Sequence, residues 1–415
     1  MPRAPVVNRS VLIVGGGPVG LGVAALLMSN PQAERWTVRL LEPNPAPDWS
    51  DADVDLRVYA LSRASQHVLE SAGAWSGIAA RRASPYRRMH VWEGDYSASV
   101  GSLAFDSAEL GEPDLGHIVE DRLIRHCLVE ALSARPNVEL AFGTELAGVR
   151  ATPDGVEVTT QDGRAMTADV LLAADGGASK VRELLELPII SVPYGQEAVV
   201  AHVGTERPHA ETAWQRFLRT GPIALLPLAD GRSSIVWSTS ADRAQTLLQL
   251  GDDDFMAEVA AATDHALGAI TSVSTRVSFP LRAVHARQYC AQRIALIGDA
   301  AHTVHPLAGQ GMNLGLLDAA VLVEVLQEAV HRGEDPGDLR VLRRYERRQK
   351  GRNLRTMLAM DVLHRLFTRA GPMLAPARVC GLTLVDSLPF VKHAFMREAL
   401  GLVGELPQTA RRRVA

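Results

Sequence analysis

The sequence predicts an α/β protein: a parallel sheet, an inserted mainly β part, and a helical C-terminal region. Three observations carry this. The run VLIVGGGPVGLGVAALLMSN (residues 11–30) reads as strand, glycine turn and helix, and the strand WTVRLLE follows it. From about residue 187 to 281 the chain changes to short β-like runs broken by Gly, Pro and Asp. The α/β pattern returns at RIALIGDAAH, and from Gly315 onward the chain is mostly helical.

Taken in order, residues 10–42 form a βαβ unit that ends at Glu42. The loop PNPAPDWSDAD comes next, then a helix over residues 62–72 with Gly73 at its end. A second α/β stretch spans 118–174. It holds the helix LIRHCLVEAL, the strand VELAFG, two short strands marked by the turns TPDG and QDGR, and the apolar strand DVLLAAD. AADGGASKVR reads as a strand-to-helix turn with Ser179 as the cap. The inserted runs are AVVAHVG, GPIALLPL and SSIVWST. Segments 1–75, 116–186 and 285–335 are assigned to the glycine-turn domain, 76–115 and 187–284 to the inserted sheet, and 336–415 to the helical region.

A chain of 415 residues exceeds the ~250–300 at which single cores stop growing, so two domains or one elaborated domain are expected. With 47% hydrophobic and 22% charged residues it falls among soluble globular proteins. A net charge of −4 argues against nucleic acid as a partner, because phosphate binding needs a basic surplus. Cys127, Cys290 and Cys380 lack disulfide or metal-site spacing, which suits a reducing compartment, the cytoplasm. The N-terminus shows no signal-peptide pattern. The most apolar helical run, 314–330, carries Asp318, Glu324 and Glu328, so any membrane contact is expected to be peripheral.

In the glycine turn, Gly15 permits the tight bend, Gly17 lets backbone approach a pyrophosphate, and Gly20 lets helix and strand pack closely. Pro18 sits beside them at the helix start, where free N–H groups and partial positive charge await phosphate. Glu42, at the end of the second strand, is placed to accept hydrogen bonds from an adenosine ribose. This unit alone does not separate NAD from FAD. The second motif, RIALIGDAAHTVHPLAGQGMNLGLLDA (293–319), does. After Gly298, Asp299 can accept from a ribityl hydroxyl, and a helix beginning near Gly309, Gln310 and Gly311, with Met312 and Asn313 behind, points its N–H groups at a ring. A reduced isoalloxazine becomes anionic in its working cycle and a nicotinamide does not, so the dinucleotide is FAD. His302 and His305 near Asp299 have loose spacing and no fourth ligand, so no metal is expected. His305 is kept as a candidate on the substrate side.

GGGPVG, AADGGASKVR and GDAAHTVHPLAGQGMN, in this order, resemble the single-component FAD-dependent aromatic hydroxylases, the p-hydroxybenzoate hydroxylase-like flavoprotein monooxygenases. DLRVYALSRASQHVLESAGAW, IVEDRLIRHCLVEAL, GPIALLPLADGRSSIVWS and LVDSLPFVKHAFMREALGLVGELP narrow the resemblance to the ubiquinone-biosynthesis hydroxylase branch, over nearly the whole chain. It implies a Rossmann-type FAD-binding domain with an inserted β substrate domain. Asp175 and Arg182 become candidates for contacts with FAD and a transient NAD(P)H, and Arg57 for the flavin pyrophosphate. Asp121 stands where relatives present Arg, Gln or Asn; either Arg122 meets the phosphates or Asp121 meets a ribose hydroxyl.

Pro306, Leu307, Ala308 and Gly309 would line the flavin face. Leu226, Pro227 and Leu228 would line the substrate side, unless they are plain core strand. The implied reaction begins with reduction of FAD by NAD(P)H. Dioxygen then gives a flavin hydroperoxide, and its distal oxygen passes to a phenol ring. The protein's part is to position and shield, with no side-chain acid or base assigned. The implied substrate is a polyprenylated phenol delivered from a membrane. The cations of 343–350 and 411–413 are expected to touch anionic lipid or a quinone-making complex. The rival readings are a halogenase or polyprenyl reductase on the same scaffold, a monooxygenase for another phenol, and an accessory flavoprotein that assembles such a complex. No WxWxIP segment of the halogenase type is present. Ring position and the choice between NADH and NADPH stay open.

Overall fold

The structure, a computed structural model, describes residues 8–94, 96, 101–305, 309–368 and 375–412. A six-stranded sheet runs in the order Cys290–Ala291, Ile294–Leu296, Val170–Ala173, Arg9–Val14, Trp36–Glu42, Val138–Phe142, parallel except for its first pair. Its central strands VLIV, VLLA and IAL are apolar without alternation because both faces are covered, as a parallel sheet requires. Helix Pro18–Met28 buries every residue except Val19 and packs on helices Asp121–Ser133 and Gln310–His331. The expected βαβ unit is present. The helix foreseen at 62–72 spans Arg63–Ser71, capped by the Ser62 hydroxyl, which accepts from the Ser65 N–H.

The second large sheet runs His302–Thr303, Val277–Ala286, Ile189–Thr205, Ser233–Ser240, Gly221–Pro227, Thr212–Leu218, Arg88–Glu93, Ser102–Asp106, with Ile270–Val273 paired to Ile189–Thr205. Strands from two distant stretches of chain meet where Thr212–Leu218 lies parallel to Arg88–Glu93. The pleat divides this sheet in two. Val199, Ala201, Ile223, Leu225, Ile235 and Trp237 form one face, covered by helices Ala241–Gln249 and Asp252–Ala262 through Ala244, Leu247, Phe255 and Val259. Those helices are absent from the mainly β expectation, although Ala244 and Leu247 on the first and Phe255 and Val259 on the second recur at helical spacing. The opposite face, with Val200, Pro222, Ala224, Leu226, Ser234 and Val236, looks into a cavity.

Helices Leu339–Thr368, Ala375–Ser387 and Pro389–Ala399 close the edge of this sheet. Phe367 stacks on Phe217 with ring centroids 3.9 Å apart. Arg378 binds Glu93 at 2.6 Å, and Lys392 binds Glu109 at 2.7 Å. The basic stretch of the first helix is divided: Arg344 pairs with Glu334, Arg348 with Glu324 and Lys350 with Glu346, while Arg343 and Arg347 stand exposed and make no side-chain hydrogen bond or ion pair among the described residues. In the tail, Arg411 donates to the Leu406 carbonyl, and Arg413 lies outside the described residues.

Candidate active site

A cavity of about 1260 Å³ joins the C-terminal end of the parallel sheet to the inward face of the second sheet. Its polar half starts at the glycine turn, where each glycine has a different reason to be there. Gly15 has φ +109°, and a Cβ on it would lie 2.3 Å from the Ala174 carbonyl oxygen. A Cβ on Gly20 would lie 2.0 Å from the Gly15 oxygen, so helix and turn touch only because neither bears a side chain. Around Gly17 nothing lies within 4 Å of such a Cβ. The backbone there borders empty cavity, with Pro18 at the helix start beside it. Glu42 accepts from the Gly16 N–H at 2.6 Å and from the Asn44 side chain at 2.6 Å, and still lines the cavity. The turn and the Glu42 carboxylate are thus one hydrogen-bonded unit.

Across from the turn, the Arg57 side chain makes no hydrogen bond or ion pair among the described residues, and it lines the cavity. Asp121 accepts from the Tyr59 hydroxyl at 2.8 Å. Arg122 pairs with Asp55 at 3.4 Å and does not line the cavity. Arg125 lines the cavity where Arg122 does not. One helical turn beyond Asp121 puts it on the same face, with Nε donating to the Gly16 carbonyl at 2.9 Å and Nη1 3.8 Å from Asp121. The sequence reading missed Arg125, although the four-residue spacing from Asp121 carried the signal.

Asp175 lines the cavity, its Oδ2 accepting from the Val181 N–H at 3.0 Å while Oδ1 is buried without a protein partner. Burial pushes this carboxyl upward, against hydrogen bonds from Ser179 and nearby backbone. Ser179 caps helix Lys180–Leu184 as expected, accepting from the Arg182 N–H. The Arg182 guanidinium donates to the Gly177 and Ala300 carbonyls and clamps two loops together, away from the cavity lining.

The far end of the polar half is built by the second motif. Asp299 lines the cavity, and its carboxylate accepts no hydrogen bond among the described residues. Burial raises its pKa, with His302 and Arg57 pulling the other way. Gly309, at φ +62°, begins helix Gln310–His331, and Gln310, Gly311 and Met312 present that helix start to the cavity. Asn313 braces the region: its Oδ1 accepts from the Ser62 N–H at 2.9 Å and its Nδ2 donates to the Ala60 carbonyl at 3.0 Å. Gly298 is structural, its N–H donating to Asp318 at 3.1 Å. His302 pairs with Asp318, not Asp299, both fully buried. Pro306, Leu307 and Ala308 lie outside the described residues. Among the described residues no group of three or more His, Cys, Asp or Glu is placed to hold a metal.

The apolar half is the sheet face. Leu226 lines it, in phase with Pro222 and Ala224. Pro227 and Leu228 do not, since the pleat turns Pro227 to the other side and the strand ends there. His305 is also absent from the lining; it is buried against Tyr194 and His364, and burial with the His364 charge lowers its pKa to about 3. Two polar residues that the sequence reading overlooked face inward: Gln215, whose amide has no partner among the described residues, and Ser234, whose hydroxyl is buried and unpaired. Polar side chains in phase with the apolar alternation of their strands were the available signal. Tyr86, Met89, Phe105 and Leu115 close one side, and Phe395, Met396 and Leu400 from helix Pro389–Ala399 and its end close the other.

A family model described as FAD binding domain matches residues 8–357. The chain belongs to this family of FAD-dependent monooxygenases. The cradle fits that cofactor on its own terms: open backbone at Gly17, an unpaired guanidinium at Arg57, unpaired carboxylate oxygens at Asp175 and Asp299, and a helix start beyond them. The chain is similar to 3-demethoxyubiquinol 3-hydroxylase of Escherichia coli (strain K12), 35% identical over 393 residues, covering 94% of this chain and 98% of that one. It is 36% identical over 402 residues to ubiquinone hydroxylase UbiL of Rhodospirillum rubrum, covering 97% and 91%. In fold it matches PqsL of Pseudomonas aeruginosa, with a TM-score of 0.75 at 23% identity, over 91% of this chain and 99% of that one. The monooxygenase is thus related to ubiquinone-biosynthesis hydroxylases, on the p-hydroxybenzoate hydroxylase-like fold.

Proposed function

We propose that this monooxygenase hydroxylates the ring of a polyprenylated phenol on the route to ubiquinone, with NAD(P)H and dioxygen as co-substrates. One oxygen atom enters the ring and the other leaves as water, with NAD(P)H supplying the two electrons. FAD, when bound, supplies the redox and oxygen-activating chemistry. The observation that carries the reading is the continuity of the cavity: the polar cradle at Gly17, Arg57 and Asp299 runs without a break into the apolar wall of Ala224, Leu226 and Met396. The names of the relatives support the choice of substrate class.

In this reading the N–H groups at the start of helix Pro18–Met28 and the Arg57 guanidinium hold the pyrophosphate, while Glu42 and Asp299 accept from hydroxyls at the two ends. The N–H groups of Gln310, Gly311 and Met312 stabilise negative charge on the ring system. Gln215 and Ser234 hydrogen-bond the phenol oxygen and orient the ring, and the wall around them keeps water out. The described wall residues include no carboxylate or imidazole, so the chain's contribution there is placement.

The test is turnover by the FAD-loaded protein with a prenylated phenol. Phenol-dependent NAD(P)H oxidation, with label from dioxygen in the ring, supports the reading. NAD(P)H oxidation that ignores the phenol, or a reduced product without new oxygen, rejects it.

A further inference from the structure

The apolar side chains that the fold leaves uncovered gather on the C-terminal helices. On helix Leu339–Thr368, Leu354, Leu358, Val362 and Leu366 recur every four residues as one exposed stripe, with Val362 63% exposed. Leu384 and Leu388 follow, then Phe390, 88% exposed at the head of helix Pro389–Ala399, and Phe395 further along it. Single exposed apolar residues are ordinary, but a set of this extent marks an interface. No single helix among the described residues is long and apolar enough to cross a membrane. The pair Arg378–Ser387 and Pro389–Ala399 has that composition only when joined, across a 94° bend.

Two observations say what covers this face. Arg355 and Arg397 stand exposed on the same two helices, and their side chains make no hydrogen bond or ion pair among the described residues. Farther up the first helix Arg343 and Arg347 are likewise exposed and without such a partner, while Arg344, Arg348 and Lys350 are paired; the exposed Glu398 next to Arg397 leaves the cations in excess. Free cations beside an apolar stripe match the charge of an anionic lipid surface, as on interfacial helices. The exposed face also continues into the cavity: Phe395 and Ala399, together with the exposed Val277 and Phe279, are part of its lining. The apolar route from surface to site is therefore unbroken.

We propose that helix Pro389–Ala399 and the stripe Leu354–Leu358–Val362–Leu366 dock on an anionic bilayer, Phe390 entering the acyl layer, so that the cavity mouth opens into lipid. This rests on the reading of a long-tailed phenol as substrate, which would then enter sideways without crossing water.

The test is flotation of the FAD-loaded full chain, without substrate, with vesicles of phosphatidylcholine alone or with phosphatidylglycerol. Wild-type protein is expected to float with the anionic vesicles. Phe390→Asp with Val362→Asp is expected to weaken that binding by about tenfold or more, since each loses a buried apolar side chain and gains a repelled charge. Arg355→Glu with Arg397→Glu is expected to abolish the preference for phosphatidylglycerol. An unbound wild type, a Phe390/Val362 variant that floats equally well, or a variant that only turns a dimer into a monomer would overturn the proposal. FAD absorbance and turnover of a short, water-soluble phenol report the active site separately. Wild-type protein that turns over the short phenol but does not float therefore condemns the surface, and wild-type protein that floats but leaves the phenol unchanged condemns the substrate reading.

Discussion

The carboxylate of Asp318 receives a hydrogen bond from His302 Nε2 at 2.5 Å, in a pair with no exposure to solvent. The same carboxylate accepts from the Gly298 N–H and from Asn353 Nδ2, so it ties the loop bearing Asp299 to two C-terminal helices. Burial opposes charge on His302, but the Asp318 charge and hydrogen bond, with Asp299 behind them, outweigh it and raise the imidazole pKa. Asp318→Asn is expected to cost about 3 kcal/mol or more, because breaking a buried pair leaves the imidazole uncompensated. A group raised in the folded state contributes fully below its unfolded pKa of ~6.5 and loses that contribution as pH rises through the folded value. The stability gap between wild type and variant should therefore be widest at acid pH and narrow as pH rises, as urea unfolding across pH will read.

Gly20→Ala and Gly17→Ala separate packing from cofactor binding. The first places a Cβ 2.0 Å from the Gly15 oxygen, so backbone must move. It should cost about 3 kcal/mol and yield colourless protein. The second meets open space in the protein and should leave apoprotein stability within about 0.5 kcal/mol. It should nevertheless raise the FAD dissociation constant by about tenfold, because the methyl group would occupy the space that the proposed pyrophosphate site needs. Flavin fluorescence on titration distinguishes them.

Arg57→Met removes a guanidinium that makes no hydrogen bond or ion pair among the described residues and only lies over the Tyr59 ring, 5.5 Å from its centroid. Apoprotein stability should hold within about 0.5 kcal/mol. FAD affinity should fall by about 10- to 100-fold, the value of a charge-assisted hydrogen bond. Arg125→Met, by contrast, gives up the bond to the Gly16 carbonyl and should lower both stability and affinity. Thermal melts with and without FAD give the two readouts together.

Ala224→Phe fills the sheet wall beside Leu226. The purified protein should keep its flavin, while kcat/KM for a prenylated phenol falls by more than about tenfold, since the ring no longer reaches its place. Gln215→Leu should lower the same ratio by about tenfold through one lost hydrogen bond to the phenol oxygen, without blocking the cavity. Unchanged turnover in both variants would move the substrate site elsewhere.

By itself the sequence determined the parts whose logic is local. The glycine spacing dictated the turn, because Gly15 and Gly20 sit where any Cβ would strike backbone. The apolar runs dictated the parallel strands, and Ser62 and Ser179 marked helix starts through their own hydroxyls. The three ordered motifs named the cofactor because each places one kind of donor or acceptor within a few residues.

Only the tertiary structure decided what depends on which residues face each other. Arg125 displaced Arg122 at the cradle because helix phase, not chain proximity, sets the inward face. Pro227, Leu228 and His305 fell outside the wall while Gln215 and Ser234 entered it, since pleat and pairing across distant strands choose the side. Arg344, Arg348 and Lys350 found carboxylates of their own, and the exposed stripe and Phe390 were left as the uncovered surface. Local rules fix conformation over a few residues. Burial, partnership and exposure are properties of the packed whole.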